Sequence, residues 1–399
     1  MQILQAKRYN EIASLMRQMK VDPYGIKIMV PKALTFLMRL NSLSNVAANI
    51  LKQEMLSLGG DAAITKDAIT GKAKKTDCLL IGNLSQFRSL HSKLSFQPFG
   101  LAKLSQEISL GLNNYQRDIF IIELGRYKLS LREGNPKIMG VINLTPDSFS
   151  GDGLYQAKDC SLTSIIRYAQ KIAADGADII DVGGESSRPG AKPLPVKEEL
   201  KRTIPVIKIL AKKIKVPISI DTYKPEVAKQ ALSQGAVLVN DISGLKNPKM
   251  AKVIAEFKAG VVIMHMQGVP KTMQKNPQYT CLLEEIMTYL DKAINKAVSS
   301  GIDRQKIIID PGIGFGKTPN NNLEILKQLQ ALRILGRPIM AGVSRKSFIG
   351  KILNTPVQER INGTIASCVM AAENGASILR VHDVKEVKEA LKIFSRINQ

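Results

Sequence analysis

KIMGVINLTPDSFSGDG, residues 137–153, is the stretch on which the fold turns. Its first eight residues are mostly apolar and have the length of a strand. After Asn143, the set Thr145, Pro146, Asp147, Ser148, Gly151 and Gly153 is too rich in breakers to extend one. A strand therefore ends in a polar loop. The same event recurs toward the C-terminus at ADIIDVGG, VPISID, AVLVND, GVVIMH, KIIIDPG, RPIMAGVS and SILRVHD, with amphipathic segments of helical length between, such as PEVAKQALSQGA. Eight β–α units in about 260 residues are the count and size of a (β/α)8 barrel. The near-continuous apolar character of the strands agrees with a parallel sheet covered by helices. A doubly wound sheet is the alternative, and the unit count argues against its exposed edges.

Upstream, residues 1–120 read as a separate, smaller α+β domain. Ile12, Leu15, Met16 and Met19 have helical spacing. GIKIMV (residues 25–30) reads as a strand, residues 42–60 as a helix closed by glycine, and DCLLIG (residues 77–82) as a second strand. ITKDAITGKAKKTD reads as a polar connection, and a further helix is expected after Pro98. No phosphate loop, metal spacing or nucleophile motif occurs here, and His91 is expected on the surface. This domain reads as an accessory or oligomerisation module. Residues 121–135 alternate about Gly125 as a β-hairpin would, opening the second domain, residues 121–399. The expected fold is α/β, a TIM barrel preceded by a smaller α+β domain.

Composition narrows the class. No apolar run approaches the ~18 residues of a membrane span, and the N-terminus lacks the pattern of a secretory signal, so no membrane partner is expected. Cys78, Cys160, Cys281 and Cys368 lie far apart without CxxC spacing, which fits a reducing cytoplasm rather than a disulfide or zinc framework. The formal charge of +23 is large, yet the lysines are dispersed. They fit solvated helix faces and small anionic substrates better than nucleic acid.

The strand ends carry the chemistry: Asn143; Asp181 with Glu185; Asp221; Asn240 with Asp241; His265; Asp310; Ser344 with Lys346; Arg380 with His382. In a closed barrel all are expected at one mouth. Asp221, Asn240 and Asp310 supply acceptors suited to a flat ring rich in N–H groups. Lys346, Arg380 and His382 supply donors for carbonyl and anionic oxygens, so the ligand should pair an amino-substituted ring with an anionic end. Asn143 offers a neutral oxygen for a Mg²⁺ that keeps most of its waters while bridging to a diphosphate. Residues 145–153 and GGESSRPGAKPLP (residues 183–195) read as lids, and the glycines of DPGIGFGK as places where backbone approaches a ligand.

NLTPDSFS, GGESSRPGA, SIDTYKPEVA, NDISG, MHMQGVP, DPGIGFGK, GVSRKS and RVHDV, in that order, resemble the motifs of dihydropteroate synthase and span about two-thirds of the chain. The resemblance implies a sulfonamide-sensitive transferase of folate biosynthesis. Such an enzyme joins 6-hydroxymethyl-7,8-dihydropterin diphosphate to 4-aminobenzoate by a dissociative mechanism. It implies that Asp221, Asn240, Asp310 and Lys346 hold the pterin, with Met264 or Met266 and the stem of Arg380 on its faces. Asn143, Arg380 and His382 would hold the diphosphate with Mg²⁺. Ser187, Arg188, Pro189, Phe315 and Ser347 would line the aminobenzoate site, and Arg188, Asp221, Asp310 and Lys346 would be catalytic. A cytoplasmic homodimer is expected. Two features depart from the family: Ser187 stands where threonine is common, and the minimal enzyme lacks the leading ~120 residues.

Two competing readings are weighed. A pterin-binding methyltransferase would not need Arg188, Arg380 and His382 together. A non-catalytic pterin sensor, with the basic N-terminal part on nucleic acid, would not need intact lid motifs.

Overall fold

The computed structural model describes residues 1–6, 8–72, 74–145, 161–186, 190 and 192–398. The chain divides into two compact units, Met1–Asn113 and Asn114–Gln399. Among the described residues no helix is long and apolar enough to cross a membrane.

The first unit contains an antiparallel sheet of β1 (Thr35–Ser44), β2 (Asp61–Ile64) and β3 (Lys75–Asn83) in the order β1-β3-β2. Leu51 and Met55 of helix Asn45–Ser57, and Phe87 and Leu90 of helix Leu84–Leu94, pack with Leu80 of β3 into one core. Residues 25–30, expected as a strand, lie inside helix Pro23–Ala33. The Asp22 carboxylate accepts from Tyr24 N at 2.8 Å and Pro23 opens the first turn, so the cap decides the conformation. The expected helix over residues 42–60 begins only at Asn45, with Ser44 Oγ accepting from Ala47 N, because the preceding residues belong to β1. The polar connection contains the last residue of β2 and a short helix, Lys66–Ile69. His91 is half-buried, its Nδ1 2.7 Å from Ser105 Oγ.

In the second unit a hairpin comes first, β4 (Ile119–Leu124) and β5 (Tyr127–Arg132), turning at Gly125 with φ +57°. Eight strands then close into a parallel barrel: β6 (Lys137–Asn143), β7 (Ile179–Gly183), β8 (Ile218–Asp221), β9 (Leu238–Asp241), β10 (Gly260–Met264), β11 (Ile307–Asp310), β12 (Ile339–Ala341) and β13 (Ala376–Val381). Successive strands are neighbours, and β13 pairs with β6 to complete the ring.

Parity along each strand separates two cores. Ile180, Ile220, Val239, Ile263, Ile309 and Leu379 face outward and join the apolar faces of the surrounding helices. Their sequence neighbours face inward. The lowest inward layer, which includes Met139, Ile179, Leu238, Val262, Ile308 and Ile378, is apolar and packs against Ile122, Leu124, Leu129 and Leu131 of the hairpin. The hairpin thus plugs the N-terminal end of the barrel. Two residues farther along β7, β9, β11 and β13 the interior turns polar, with Asp181, Asn240, Asp310 and Arg380, which places the chemistry at the other end.

Candidate active site at the barrel mouth

One step above the apolar layer, Asp181 is fully buried. Its Oδ2 accepts from Arg380 Nε at 2.7 Å and from Asn240 Nδ2 at 3.2 Å. Arg380 also donates through Nη2 to Asp221 Oδ2 at 2.6 Å. One guanidinium therefore ties the ends of β7, β8 and β13, with Asn240 of β9 beside it. Because a carboxylate can only accept, Asp181 commits the Asn240 amide nitrogen and turns Asn240 Oδ1 away. Asn240 Oδ1 and Asp181 Oδ1 are buried acceptors with no partner among the described residues. Buried acceptors of this kind normally find a donor, and a ring edge bearing N–H groups supplies one.

The field around this floor is uneven. Burial pushes the Asp221 carboxyl up to about 7 against the pull of Arg380, with Asp181 and Glu199 adding to the rise. Asp310 is also raised by burial, opposed by the Gly312 N–H, which its Oδ1 accepts at 2.6 Å. Lys346 is lowered to about 8 by burial and the nearby charge of Arg380, and its ammonium lies 4.1 Å from the centre of the Phe315 ring. Ion pairs with Asp181 and Asp221 more than offset burial for Arg380 and hold it charged.

A cavity of about 400 Å³ opens above the floor, lined among others by Asn143, Phe315, Ser344, Lys346, Arg380 and His382. His382 Nδ1 lies 3.1 Å from Ser344 Oγ, and its Nε2 lies 3.5 Å from Asn143 Nδ2. Ser347, exposed, begins helix Ser347–Leu353 at the rim. Met264, Met266, Met273, Ile242 and Phe315 form an apolar patch beside the polar floor. Ser187, Arg188 and Pro189, and residues 146–153 of the expected first lid, lie outside the described residues.

Not every polar strand end reaches the mouth. Asp241 faces outward and accepts from Ser243 N at 2.8 Å and Leu245 N at 3.0 Å, holding the turn after β9. His265 follows the inward Met264. It is buried against Tyr289, with ring centres 4.9 Å apart, and its Nδ1 is 3.0 Å from Lys317 Nζ. Glu185 does line the cavity; it accepts from Tyr223 Oη at 2.8 Å and pairs with Lys224, which also bonds Glu199 at 2.5 Å.

Two of the three glycines of DPGIGFGK serve a purpose other than the one expected. A Cβ on Gly312 would collide with the His265 carbonyl oxygen, and one on Gly316 would come within 2.7 Å of the Gln267 carbonyl oxygen. These two let the loop after β11 close onto the loop after β10, whereas Gly314 lines the cavity, as expected of a glycine that brings backbone near a ligand. Two further residues carry weight that the strand-end reading left unassigned: Asp181 in the floor and Lys317 beneath Phe315. Asp181 follows the apolar run of β7 as the other strand ends follow theirs, and the closed ring turns it inward, two residues beyond Ile179. For Lys317 the sequence held no signal beyond its place at the end of a glycine-rich run.

An acceptor-rich floor, cations above it and a single closed barrel define a pterin-binding enzyme, and residues 139–382 match the family model described as "Pterin binding enzyme". The dihydropteroate synthase of Escherichia coli (strain K12) is 44% identical over 264 residues, covering 66% of this chain and 92% of that protein. A crystal structure of the Yersinia pestis dihydropteroate synthase with a sulfonamide drug complex superposes with a TM-score of 0.66 at 40% identity, over 70% of this chain and 99% of that one. The chain belongs to the dihydropteroate synthases, transferases of folate biosynthesis. A protein of Halobacterium salinarum named as a probable bifunctional folylpolyglutamate synthase/dihydropteroate synthase is 36% identical over 349 residues, 87% of this chain and 41% of its own length. That alignment is longer than the second unit, so it extends into the first.

Proposed function

We propose that the barrel condenses 6-hydroxymethyl-7,8-dihydropterin diphosphate with 4-aminobenzoate, releasing diphosphate and forming 7,8-dihydropteroate. The observation that carries this reading is the pairing of buried acceptors on Asp221, Asn240 and Asp310 with Lys346, Arg380 and His382 in one mouth. The acceptors take the N–H edge of the pterin, and Lys346 donates to its carbonyl side. His382, oriented by Ser344, and Asn143 face the diphosphate. Arg380 keeps two of its nitrogens on Asp181 and Asp221, so it acts first as the cation of the floor.

The bond from the methylene carbon to the bridging oxygen breaks first, its electron pair leaving on diphosphate. The carboxylates of Asp221 and Asp310 face the resulting pterin-stabilised cation. The arylamine nitrogen then bonds the carbon and gives up a proton. Phe315 and Ser347, with Ser187, Arg188 and Pro189, hold the aminobenzoate, and exclusion of water keeps it from capturing the cation. The described residues contain no group of three His, Cys, Asp or Glu side chains fit to hold a metal. Asn143, which lines the cavity, offers a neutral side-chain oxygen that would hold a Mg²⁺ beside the diphosphate. Bound there, the ion would neutralise charge on the leaving group.

The test is direct: purified protein is mixed with both substrates and Mg²⁺, and diphosphate is measured. Release that depends on 4-aminobenzoate, with dihydropteroate formed, is the expected result. Release indifferent to the arylamine, without dihydropteroate, overturns the reading. Sulfonamides should compete with 4-aminobenzoate. On the same reading residues 1–120 are an accessory domain of a cytoplasmic homodimer, and light scattering of the intact chain should give twice the monomer mass.

A pH dependence follows. Asp221 must be ionised to accept, so kcat/KM for the pterin substrate should fall as pH drops below about 7. Lys346 must be protonated to donate, so kcat/KM should fall again above about 8. Lys346→Arg should move the alkaline limb upward. A flat profile across both values overturns these assignments.

A further inference from the structure

The loops after β10 and β11 pack as one block. Tyr279 Oη donates to Gly316 O at 2.7 Å, and Gln274 Nε2 donates to Gly314 O at 2.8 Å. Lys317, only 2% exposed, sits inside the block. Its ammonium lies 3.0 Å from His265 Nδ1 and 3.0 Å from the Phe315 carbonyl oxygen. Burial lowers the His265 imidazole to about 3, helped by the charge of Lys317, so the ring is neutral and its Nδ1 accepts. Burial likewise lowers Lys317 to about 7. The charge of Asp310 opposes that lowering, but both bonded partners of the ammonium are neutral, and it forms no ion pair among the described residues.

A buried ammonium bonded only by neutral acceptors is a poor choice for stability, because a methionine of similar length would fill the space without the desolvation cost. The placement explains the choice. Lys317 bridges the first residue after β10 to the backbone of Phe315, whose ring lies beneath the Lys346 ammonium at the mouth. The same tether runs through Tyr279 and Gln274 on either side of Phe315.

We propose that Lys317 is a positioning residue: it clamps the Phe315 carbonyl to His265 and so fixes the Phe315 ring as one wall of the aminobenzoate site. This rests on the assignment of that wall above. It predicts a larger effect on 4-aminobenzoate than on the pterin diphosphate, since Asp181, Asp221, Asn240 and Arg380 of the floor lie on β7, β8, β9 and β13, and only Asp310 ends β11 beside the clamped loop.

The experiment is steady-state kinetics on the full chain, varying each substrate in turn, for Lys317→Met, Phe315→Leu and Tyr279→Phe, with melting temperatures alongside. Lys317→Met should raise KM for 4-aminobenzoate about tenfold, roughly 1.4 kcal/mol of lost binding. KM for the pterin diphosphate should rise far less, and the melting temperature should stay near that of the parent. Phe315→Leu should raise the same KM. If Phe315→Leu leaves it unchanged, the wall is misassigned and the inference falls with it. If Phe315→Leu raises it and Lys317→Met does not, the clamp alone is wrong. A fall in melting temperature with both KM values unchanged, or raised equally, assigns Lys317 a purely structural role and overturns the proposal. Should Lys317→Met not fold, Tyr279→Phe decides: a smaller rise confined to 4-aminobenzoate supports the clamp, and no rise overturns it.

Discussion

Asp221→Ala is expected to abolish measurable binding of the pterin diphosphate and to lower kcat/KM by roughly a thousandfold. The substitution removes an acceptor from the floor and releases Arg380 Nη2, held at 2.6 Å, leaving the guanidinium on Asp181 alone. Hydrogen bonds to a charged group are worth about 1.5–3 kcal/mol each, and two are lost together with the placement of Arg380. Calorimetry with the pterin substrate gives the affinity and diphosphate release gives the rate. Lys103→Ala, an exposed position in the first unit, is the control and should bind as the parent does. Equal loss in the two variants would mean the site lies elsewhere.

Arg380→Met should be the most damaging single change to the second unit, and its cost should depend on pH. Asp181 and Asp221 would be left without their shared cation in a site from which water is largely excluded. Removing one partner of a buried ion pair typically costs about 3–5 kcal/mol. Burial already holds Asp221 above the ordinary carboxylate range, at about 7. Loss of Arg380 removes the positive charge that opposed the rise. A carboxyl with a raised folded-state value contributes stability that is fully present below its unfolded value and lost as pH climbs through the folded one. The deficit of Arg380→Met against the parent should therefore be small near pH 5 and large near pH 8. Denaturant midpoints at the two values measure it, and an equal deficit at both would show that the carboxylates are not the cause.

The barrel was legible because its strands are buried on both faces: runs such as the IIID of β11 admit few other readings. The first unit was harder. IKIMV has strand composition, and only the Asp22–Pro23 cap, a two-residue signal, turns it into helix. β1 was missed because its pattern slips at the irregularity between Leu40 and Leu43, where Ser42 takes φ +56°. In the mouth, reading the last polar residue of each strand located Asn143, Asp221, Asp310 and Arg380. It failed where parity overrules proximity, bringing Asp241 and His265 forward and leaving Asp181 without a role. Which side a residue faces depends on how the ring closes, and a strand's composition does not carry that information.

The hairpin at the other end has a consequence for traffic. With β4, β5 and the apolar layer closing the base, the cavity opens among the described residues at the mouth, and the proposed pterin position lies at the bottom of it. On the proposed placement, an arylamine that arrived first would stand in the pterin's way, so binding is expected to be ordered, with the larger heterocycle ahead. Diphosphate must then leave past the rim by which the arylamine enters. The rim residues are gatekeepers in both directions, and a change there that tightens one reactant slows the departure of another.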